Sequence, residues 1–395
     1  MSNWDKEYLK LCRRILSEGT EIENRTGINS IKVPEQHFEF DLNKEFPILS
    51  IKQMFYRQAV TEMLWIWQMS SNDVRDLQER NVHVWDEWMI DEDGIYRIYE
   101  PEGSETPYDP DREVKVIDPL SVPIDDPNGL RHEFKQKINE NGKPMTAKSL
   151  IKGRNIKAAK YYGKDLAYTI GTAYGFITGR YNHAKNLIDT FKQNPSDRRQ
   201  VKSLWQDEFL RTAVLPSCVW STTWDITDDK LSLSVNQRSC DVPLGLPFNI
   251  TQYATFLSMI AKELELDLGK MYYNIVDPHI YVNQVDGIKE QIAREDKLNE
   301  LKLLEGEDLV QLKSKLAEIL DRMEKSGIDK NDQEYRKYDT EYRMIDSILE
   351  PTTPELVLND EIQSFFDYDN SKNLKDVKVK NYKHLGKVRM PIAQW

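Results

Sequence analysis

Cysteine is scarce in this chain of 395 residues: Cys12, Cys218 and Cys240 are the three it has. They are too few and too scattered for a disulfide framework, which points to a reducing cytoplasm. Long apolar runs are missing as well. No stretch of about 18 apolar residues occurs, so no segment reads as a membrane span. The opening MSNWDKEYLKLCRRILSEGTEIENRTG carries charges throughout and has no apolar core of the kind a secretory signal needs. Positive charge is in deficit. A formal net charge of −12 repels a nucleic-acid backbone unless a basic patch compensates, so a small ligand is the better partner. There is no internal repeat, no low-complexity tract and no glycine-rich adenosylmethionine site. A metal site is a poor reading too, because His279 has no other His or Cys at ligand spacing.

What the chain does have is apolar content of 39%, enough to bury a sizeable core. The N-terminal stretch reads as an amphipathic helix with Tyr8, Leu9, Cys12 and Ile15 on one face. KLSLSVNQRS (230–239) alternates as a strand, with Leu231, Leu233 and Val235 facing one way, and VWSTTWDI reads as another. Residues 250–266 predict a long apolar-striped helix, and KMYYNIVDPHIYVN (270–283) a further strand. The pattern is α+β. Two stretches stand apart. Residues 89–168 are turn-rich and charged, with seven of the 17 prolines between Pro101 and Pro144. They read as an irregular insertion with one short helix around 146–160. Residues 295–350 read as an αα-hairpin: Leu309, Leu312, Leu316, Ile319, Leu320 and Met323 recur at helical spacing, Ser326-Gly327 breaks the run, and Tyr335, Tyr338, Tyr342, Ile345 and Leu349 resume it before Pro351. A packed surface excursion is the plain reading of this hairpin; a partner-binding or dimer-extending arm is the other.

Chemistry gathers around LPSC (215–218). Taken alone, a cysteine at a strand start is a packing residue, since cysteine is among the most buried residue types. Its company changes the reading. NPSDRR brings Arg198 and Arg199 just upstream, and NQRSCD brings Arg238 just downstream. Guanidinium groups stabilise a thiolate, the nucleophilic form of cysteine, and clustered arginines clamp phosphate. A phosphorylated substrate held for covalent attack fits both. Glu62 lies in an otherwise apolar helix that begins near Tyr56. It is either a helix-edge residue or a buried acid whose pKa rises into the range useful for proton transfer.

NRTG (24–27), EMLWIWQ (62–68), VWDEW (84–88), AYG (173–175), NPSDRR (194–199), LPSC (215–218), QRSCDVPLGLPFNI (237–250) and DPHIY (277–281) resemble the thymidylate synthase family in order and spacing, and KVRMPIAQW resembles its closing tail. The resemblance covers most of residues 1–88, 169–294 and 351–395. It implies one catalytic domain over 1–395, a three-layer α+β fold on a large mixed sheet, with the insertions at about 89–168 and 295–350. It also implies dUMP as substrate, 5,10-methylenetetrahydrofolate as cosubstrate, and a homodimer with shared sites. Cys218 would attack C6 of uracil. Arg25, Arg198, Arg199, Arg238 and Ser239 would hold the phosphate, Arg198 and Arg199 reaching across to the neighbouring subunit. Asn249 would read the uracil amide, although without the motif a turn asparagine before a helix explains it as well. His279 and Tyr281 would bond the deoxyribose 3′-hydroxyl. Glu62 would organise the water that moves protons, and Tyr174 would remove the C5 proton. Trp85, Trp88, Asp241 and Lys52 match folate-site positions, the lysine for the glutamate tail; for the tryptophans alone, core packing is the simpler reading.

In that mechanism, addition of the thiolate at C6 turns C5 into a nucleophile for the one-carbon unit. Hydride from the folate then gives a methyl group, whereas water gives a hydroxymethyl group. The chain departs from the family where this fork is decided: Val219 follows the nucleophile in place of histidine, with Thr223, Asn236, Val276-Asp277, Gln284 and Gln394-Trp395 at other altered positions. Loss of that histidine is a feature of phage pyrimidine hydroxymethylases, and Asn249 argues for uracil over cytosine. The expectation is therefore a deoxyuridylate hydroxymethylase in the cytoplasm of a phage-infected bacterium, with thymidylate synthase as the alternative. A DNA cytosine methyltransferase fits poorly with the charge, and a dead binding homologue fits poorly with the retained Cys218, Arg238, Asn249 and Glu62.

Overall fold

Ser2 caps the first helix. In this computed structural model, which describes residues 1–24, 27–100, 104–121 and 135–391, the Ser2 hydroxyl accepts from the Asp5 amide and the Asp5 carboxylate accepts from the Ser2 amide. The first turn is thus satisfied reciprocally. Helix α1 (Asn3–Glu18) buries Tyr8, Leu9, Cys12 and Ile15, the face its periodicity predicts. Asp5 is buried with them and also accepts from the amides of Ser50 (2.8 Å) and Ile51 (2.9 Å). That fixes the segment leading to Lys52.

The chain continues through β1 (Thr20–Ile22), β2 (Ser30–Lys32), β3 (Gln36–Asp41), α2 (Tyr56–Trp67) and α3 (Val74–Gln78). Within the first insertion lie β4 (Ile95–Tyr99), β5 (Glu113–Ile117), β6 (Thr146–Lys148) and β7 (Ile156–Tyr161). Then come α4 (Gly175–Arg180), α5 (His183–Gln193), β8 (Val201–Ser203), β9 (Val219–Thr227), β10 (Lys230–Gln237), β11 (Cys240–Asp241) and α6 (Gly245–Glu263). The last third holds β12 (Asp267–Ile275), β13 (Pro278–Tyr281), α7 (Val285–Leu301), α8 (Gly306–Lys325), α9 (Gln333–Leu349), β14 (Glu355–Leu358) and β15 (Val377–Lys380). The class is α+β.

A five-stranded mixed sheet, ordered β3-β12-β10-β9-β8, forms the centre. β9 and β10 join through Asp228 and Asp229, both at positive φ (51° and 55°), the turn geometry that matches strand twist. β10 buries Leu231, Leu233, Val235 and Gln237, and its parallel neighbour β12 buries Met271, Tyr273 and Ile275. Helix α6 packs over both strands, and α2 packs on α6. A second sheet, β1-β2-β13-β11, lies beside the end of β10.

The structure departs from the sequence-based reading in three places. Residues 270–283 are two strands in two sheets. Pro278 has no N–H to continue a ladder and takes the first position of β13, leaving Val276 63% exposed at the step. Helix α6 begins at Gly245, before residue 250, because Pro247 falls in the first turn, where amides lack intrahelical partners anyway. The short helix expected around 146–160 is absent. β6 and β7 occupy that span and complete a four-stranded sheet ordered β4-β7-β5-β6, closed by Ile95, Val116, Ala147, Ile156 and Ala159. Further on, α8 and α9 pack around Leu320, Met323 and Tyr335, and Gly327 turns the chain between them at φ +75°. Among the described residues no helix is long and apolar enough to cross a membrane.

Candidate active site

Cys218 immediately precedes β9, where Val219 pairs with Gln237 at the end of β10. None of the three cysteines is disulfide-bonded. Burial pushes the Cys12 thiol up to about 12 and the Cys240 thiol well above its ordinary value, so both stay protonated. Cys218 is the half-exposed one. Arg238 holds it in place. Its Nε donates to the Ser217 carbonyl (3.0 Å), its Nη2 to the Pro216 carbonyl (2.7 Å) and its amide to the Cys218 carbonyl (2.8 Å). The same Nη2 lies 3.9 Å from Cys218 Sγ. One guanidinium therefore fixes the loop and sets a positive charge beside the sulfur, which favours thiolate.

The Cys218 amide donates to the Tyr174 hydroxyl at 2.8 Å. Tyr174 sits at φ +46°, a backbone region costly for a bulky side chain. It is held there because α4 starts at Gly175 against the chain at Ser71: a Cβ on Gly175 would fall 1.6 Å from the Ser71 carbonyl oxygen. Burial raises the Tyr174 hydroxyl well above its ordinary pKa.

Glu62 lies on α2. Trp85 Nε1 donates to its Oε1 (2.6 Å) and Gln252 Nε2 to its Oε2 (2.7 Å). The residue keeps some accessible surface, but its carboxyl is enclosed, and desolvation pushes its pKa from 4.5 to about 7 despite both donors. The lone charge in an apolar helix is thus a buried acid and not a helix-edge residue. Asn249 stands one turn before Gln252 on α6; its Nδ2 donates to Gln252 Oε1 (3.0 Å) and its Oδ1 accepts from Gln237 Nε2 (3.3 Å).

The other expected residues divide. His279 and Tyr281 share a face of β13, their rings 5.0 Å apart, and His279 Nδ1 is 3.1 Å from the Asp277 carbonyl oxygen. Ser239 follows β10, and its carbonyl accepts from Gln237 (2.9 Å). Arg25 lies outside the described residues. Arg198 and Arg199 are exposed and are not beside Cys218. Gln200 bonds Trp224, six residues along β9 from Cys218, a separation of about 20 Å at roughly 3.3 Å per residue. Asp197 accepts from Arg199 at 2.7 Å, and the pair turns that guanidinium outward, its side chain 87% exposed.

Of the residues expected at the folate, Trp85 and Trp88 lie 5.6 Å apart, and Trp85 is also 5.5 Å from Tyr174. Lys52, expected at the glutamate tail, is a buried cation. It is 6% exposed, donates to the Pro243 carbonyl at 2.5 Å, and burial lowers its pKa to about 8. Its charge acts on Asp241, whose carboxyl burial raises. Asp241 accepts from the Leu244 amide (3.1 Å) and from Gln284 Nε2 (3.0 Å). Gln284 is fully buried and also donates to the Pro391 carbonyl (3.2 Å), tying the closing tail to this wall. Val219 is 2% exposed, within the main core. Among the described residues no three His, Cys, Asp or Glu side chains gather as a metal site. The wide groove between α7 and α9, lined by Arg294, Arg336 and Arg389, holds none of these groups.

Gln252, Gln237 and Gln284 are the residues the sequence reading passed over in assigning roles. The signal for Gln252 was there, three positions after Asn249 on one helix face. Gln237 opens the QRSCDVPLGLPFNI block and Gln284 was noted as a departure from the family, but their bonding partners lie elsewhere in the chain.

A thymidylate synthase family model matches residues 6–330. A thymidylate synthase of Clostridium beijerinckii is 30% identical over 393 residues, covering all of both chains. That of Bacillus phage phi3T is 29% identical over 314 residues, 75% of this chain and 85% of its own. Among solved structures, thermostable thymidylate synthase A from Bacillus subtilis superimposes with a TM-score of 0.61 at 25% identity, covering 98% of this chain and 99% of that one.

Proposed function

The chain belongs to the thymidylate synthase family, folate-dependent one-carbon transferases that take 5,10-methylenetetrahydrofolate as cosubstrate, and from that premise we propose that it methylates dUMP to dTMP. The observation that carries the methyl outcome is Gln284. Hydride delivery needs the folate held over the reacting carbon, and Gln284 locks the tail at Pro391 to Asp241 on the folate wall. The residue that departs from the family at this position thus bonds both the tail and Asp241. The hydroxymethyl outcome is the second reading, favoured by Val219 in place of histidine. Its weakness is that Val219 is sealed in the core and can neither activate nor admit water.

The roles follow from the groups present. Arg238 beside Cys218 favours the thiolate that adds to C6 of the pyrimidine. Asn249 presents an amide to the uracil edge. Glu62, with a pKa of about 7, exchanges a proton near neutrality, and Tyr174, neutral and hydrogen-bonded to the Cys218 amide, would remove the C5 proton. Trp88, Asp241 and Gln284 would hold the cosubstrate, which supplies the one-carbon unit and, for methylation, the hydride. Arg238 and Ser239 are the phosphate ligands within the subunit, with Arg25 from the NRTG block. Arg198 and Arg199, exposed and about 20 Å from their own Cys218 along the strand, serve the neighbouring site of a homodimer. Three unbridged thiols suit the cytoplasm.

The test is to incubate the protein with dUMP and methylenetetrahydrofolate, weigh the nucleotide and follow dihydrofolate by absorbance. Product of dTMP mass with stoichiometric dihydrofolate is expected. Hydroxymethyl-dUMP without dihydrofolate would establish the second reading, and an unchanged nucleotide would remove both.

A further inference from the structure

A line of side chains joins β12 to α2 with each donor and acceptor fixed. The Tyr273 hydroxyl donates to Gln237 Oε1 (2.6 Å), which turns Gln237 Nε2 towards Asn249 Oδ1 (3.3 Å). Asn249 Nδ2 then donates to Gln252 Oε1 (3.0 Å), and Gln252 Nε2 donates to Glu62 Oε2 (2.7 Å). Reversing the Asn249 amide would set donor against donor at Gln237 and acceptor against acceptor at Gln252.

We propose that Gln252 is a positioning residue that couples the base choice of Asn249 to the charge of Glu62. The inference rests on the reading of dUMP as substrate and adds how uracil is selected. Asn249 has two amide hydrogens and two oxygen lone pairs. Gln252 takes one hydrogen and Gln237 one lone pair, leaving one donor and one acceptor for a base. Uracil presents O4 beside N3–H and satisfies both. Cytosine presents an amino donor beside a bare N3, and Asn249 would have to turn over to meet it, which the line forbids.

The direction of the line is set at Glu62. An ionised Glu62 accepts, so Gln252 must donate to it and offer its oxygen to Asn249. A protonated Glu62 can donate to Gln252 instead and release that constraint. The other groups facing Glu62 are the Trp85 indole, a donor only, and the hydroxyls of Tyr174 and Tyr253, which burial keeps neutral. At the far end the Ser239 carbonyl, which can only accept from Gln237 Nε2, holds the same direction; the carboxyl and Gln252 set it from the α2 side, where it can titrate.

The test uses Gln252→Met, similar in length and lacking both links, and Gln252→Glu, which keeps an acceptor for Asn249 but loses the donor to Glu62. Binding of dUMP and dCMP is measured by calorimetry, and the pH profile of kcat with dUMP and methylenetetrahydrofolate. Wild type should prefer dUMP. Gln252→Met should lose about tenfold or more of that preference, and the acid limb of its profile should move up by about one pH unit. Gln252→Glu should move the limb while keeping the preference. If circular dichroism shows that Gln252→Met does not fold, Gln252→Glu decides alone. A folded variant whose preference and profile both match wild type, a Gln252→Met in which one moves without the other, or a Gln252→Glu that loses the preference overturns the coupling. Wild type that binds neither nucleotide overturns the underlying reading of function and the inference with it; wild type that prefers dUMP confines any failure to Gln252.

Discussion

Replacing Glu62 by Gln tests whether its carboxyl is as dry as the structure makes it. Desolvation raises the pKa from 4.5 to about 7, against the Trp85 and Gln252 donors that lower it. The unfolded chain therefore ionises at Glu62 near its ordinary value, while the folded protein keeps the proton until about pH 7. Between those values the native state binds more protons, so stability falls as pH rises, and it levels off above the folded pKa. At about 1.4 kcal/mol per pKa unit the loss is roughly 3 kcal/mol, and nearer 2 once the residue's remaining contact with solvent screens the charge. Glutamine does not titrate, so this dependence vanishes in the variant. Its NH2 instead faces one of the two donors, a cost of about 1–3 kcal/mol at every pH. Urea unfolding at pH 5 and pH 8, at one protein concentration, should show wild type ahead of Glu62→Gln at pH 5 and that lead shrinking by about 2–3 kcal/mol, or reversing, at pH 8. Turnover should fall by roughly 10²–10⁴ for loss of an acid/base group. A stability gap that stays constant from pH 5 to pH 8 would refute the desolvation argument, and with it the assignment of proton exchange to this carboxyl.

Four further outcomes are expected. Gly175→Ala drives a Cβ into the Ser71 carbonyl, and since the obstacle is backbone a loss of about 3 kcal/mol should appear as a lowered melting temperature. Cys218→Ser should abolish turnover yet still bind dUMP, because Arg238, Ser239 and Asn249 remain; a titration without binding would make Cys218 a structural residue. Mixing inactive Cys218→Ser and inactive Arg198→Ala protomers should restore up to roughly a quarter of activity through heterodimers, and no recovery after demonstrated exchange would end the shared-site reading. Asn249→Asp should shift kcat/KM from dUMP towards dCMP by about tenfold to a hundredfold, and an unmoved ratio would remove Asn249 from base reading.

How much of this was legible follows from distance along the chain. Cys218 and Arg238 could be named because both sit in short contiguous blocks, although the bonds from Arg238 to Pro216 and Ser217 could not. The burial of Lys52 was not legible for a physical reason. A lysine reads as a surface cation unless its cover is known, and the cover here is the carbonyl of Pro243, 191 positions away. The 89–168 segment failed differently. Its strands are three to six residues long, and β4 pairs with β7 across some sixty residues of turns and prolines, so alternation within each was too brief to read. Helix α1 and strand β10 were read correctly because each carries its whole signal locally. Gln284 drew notice as a departure from the family, yet the two acceptors of its Nε2, Asp241 and the Pro391 carbonyl, come from opposite directions of the chain.

The proposed division of labour between subunits would also answer how an acidic protein captures a dianion. Net charge of −12 would repel a nucleotide phosphate at long range. Locally, Arg238 is committed by three hydrogen bonds to the nucleophile loop, so only part of its fork remains for phosphate. Arg199 has the opposite arrangement: Asp197 accepts from its amide and its Nη2 while the side chain stays outward, over a stretch of surface with no thiol of its own. On the proposed dimer these two arginines meet at one phosphate, one supplied already ordered by the loop it supports and the other by the ion pair that aims it. Thiol activation, base reading and proton exchange then lie within a subunit, while the phosphate clamp is completed between subunits. A change at Arg198 or Arg199 should therefore weaken nucleotide binding more than it slows chemistry, whereas a change at Arg238 strikes both at once.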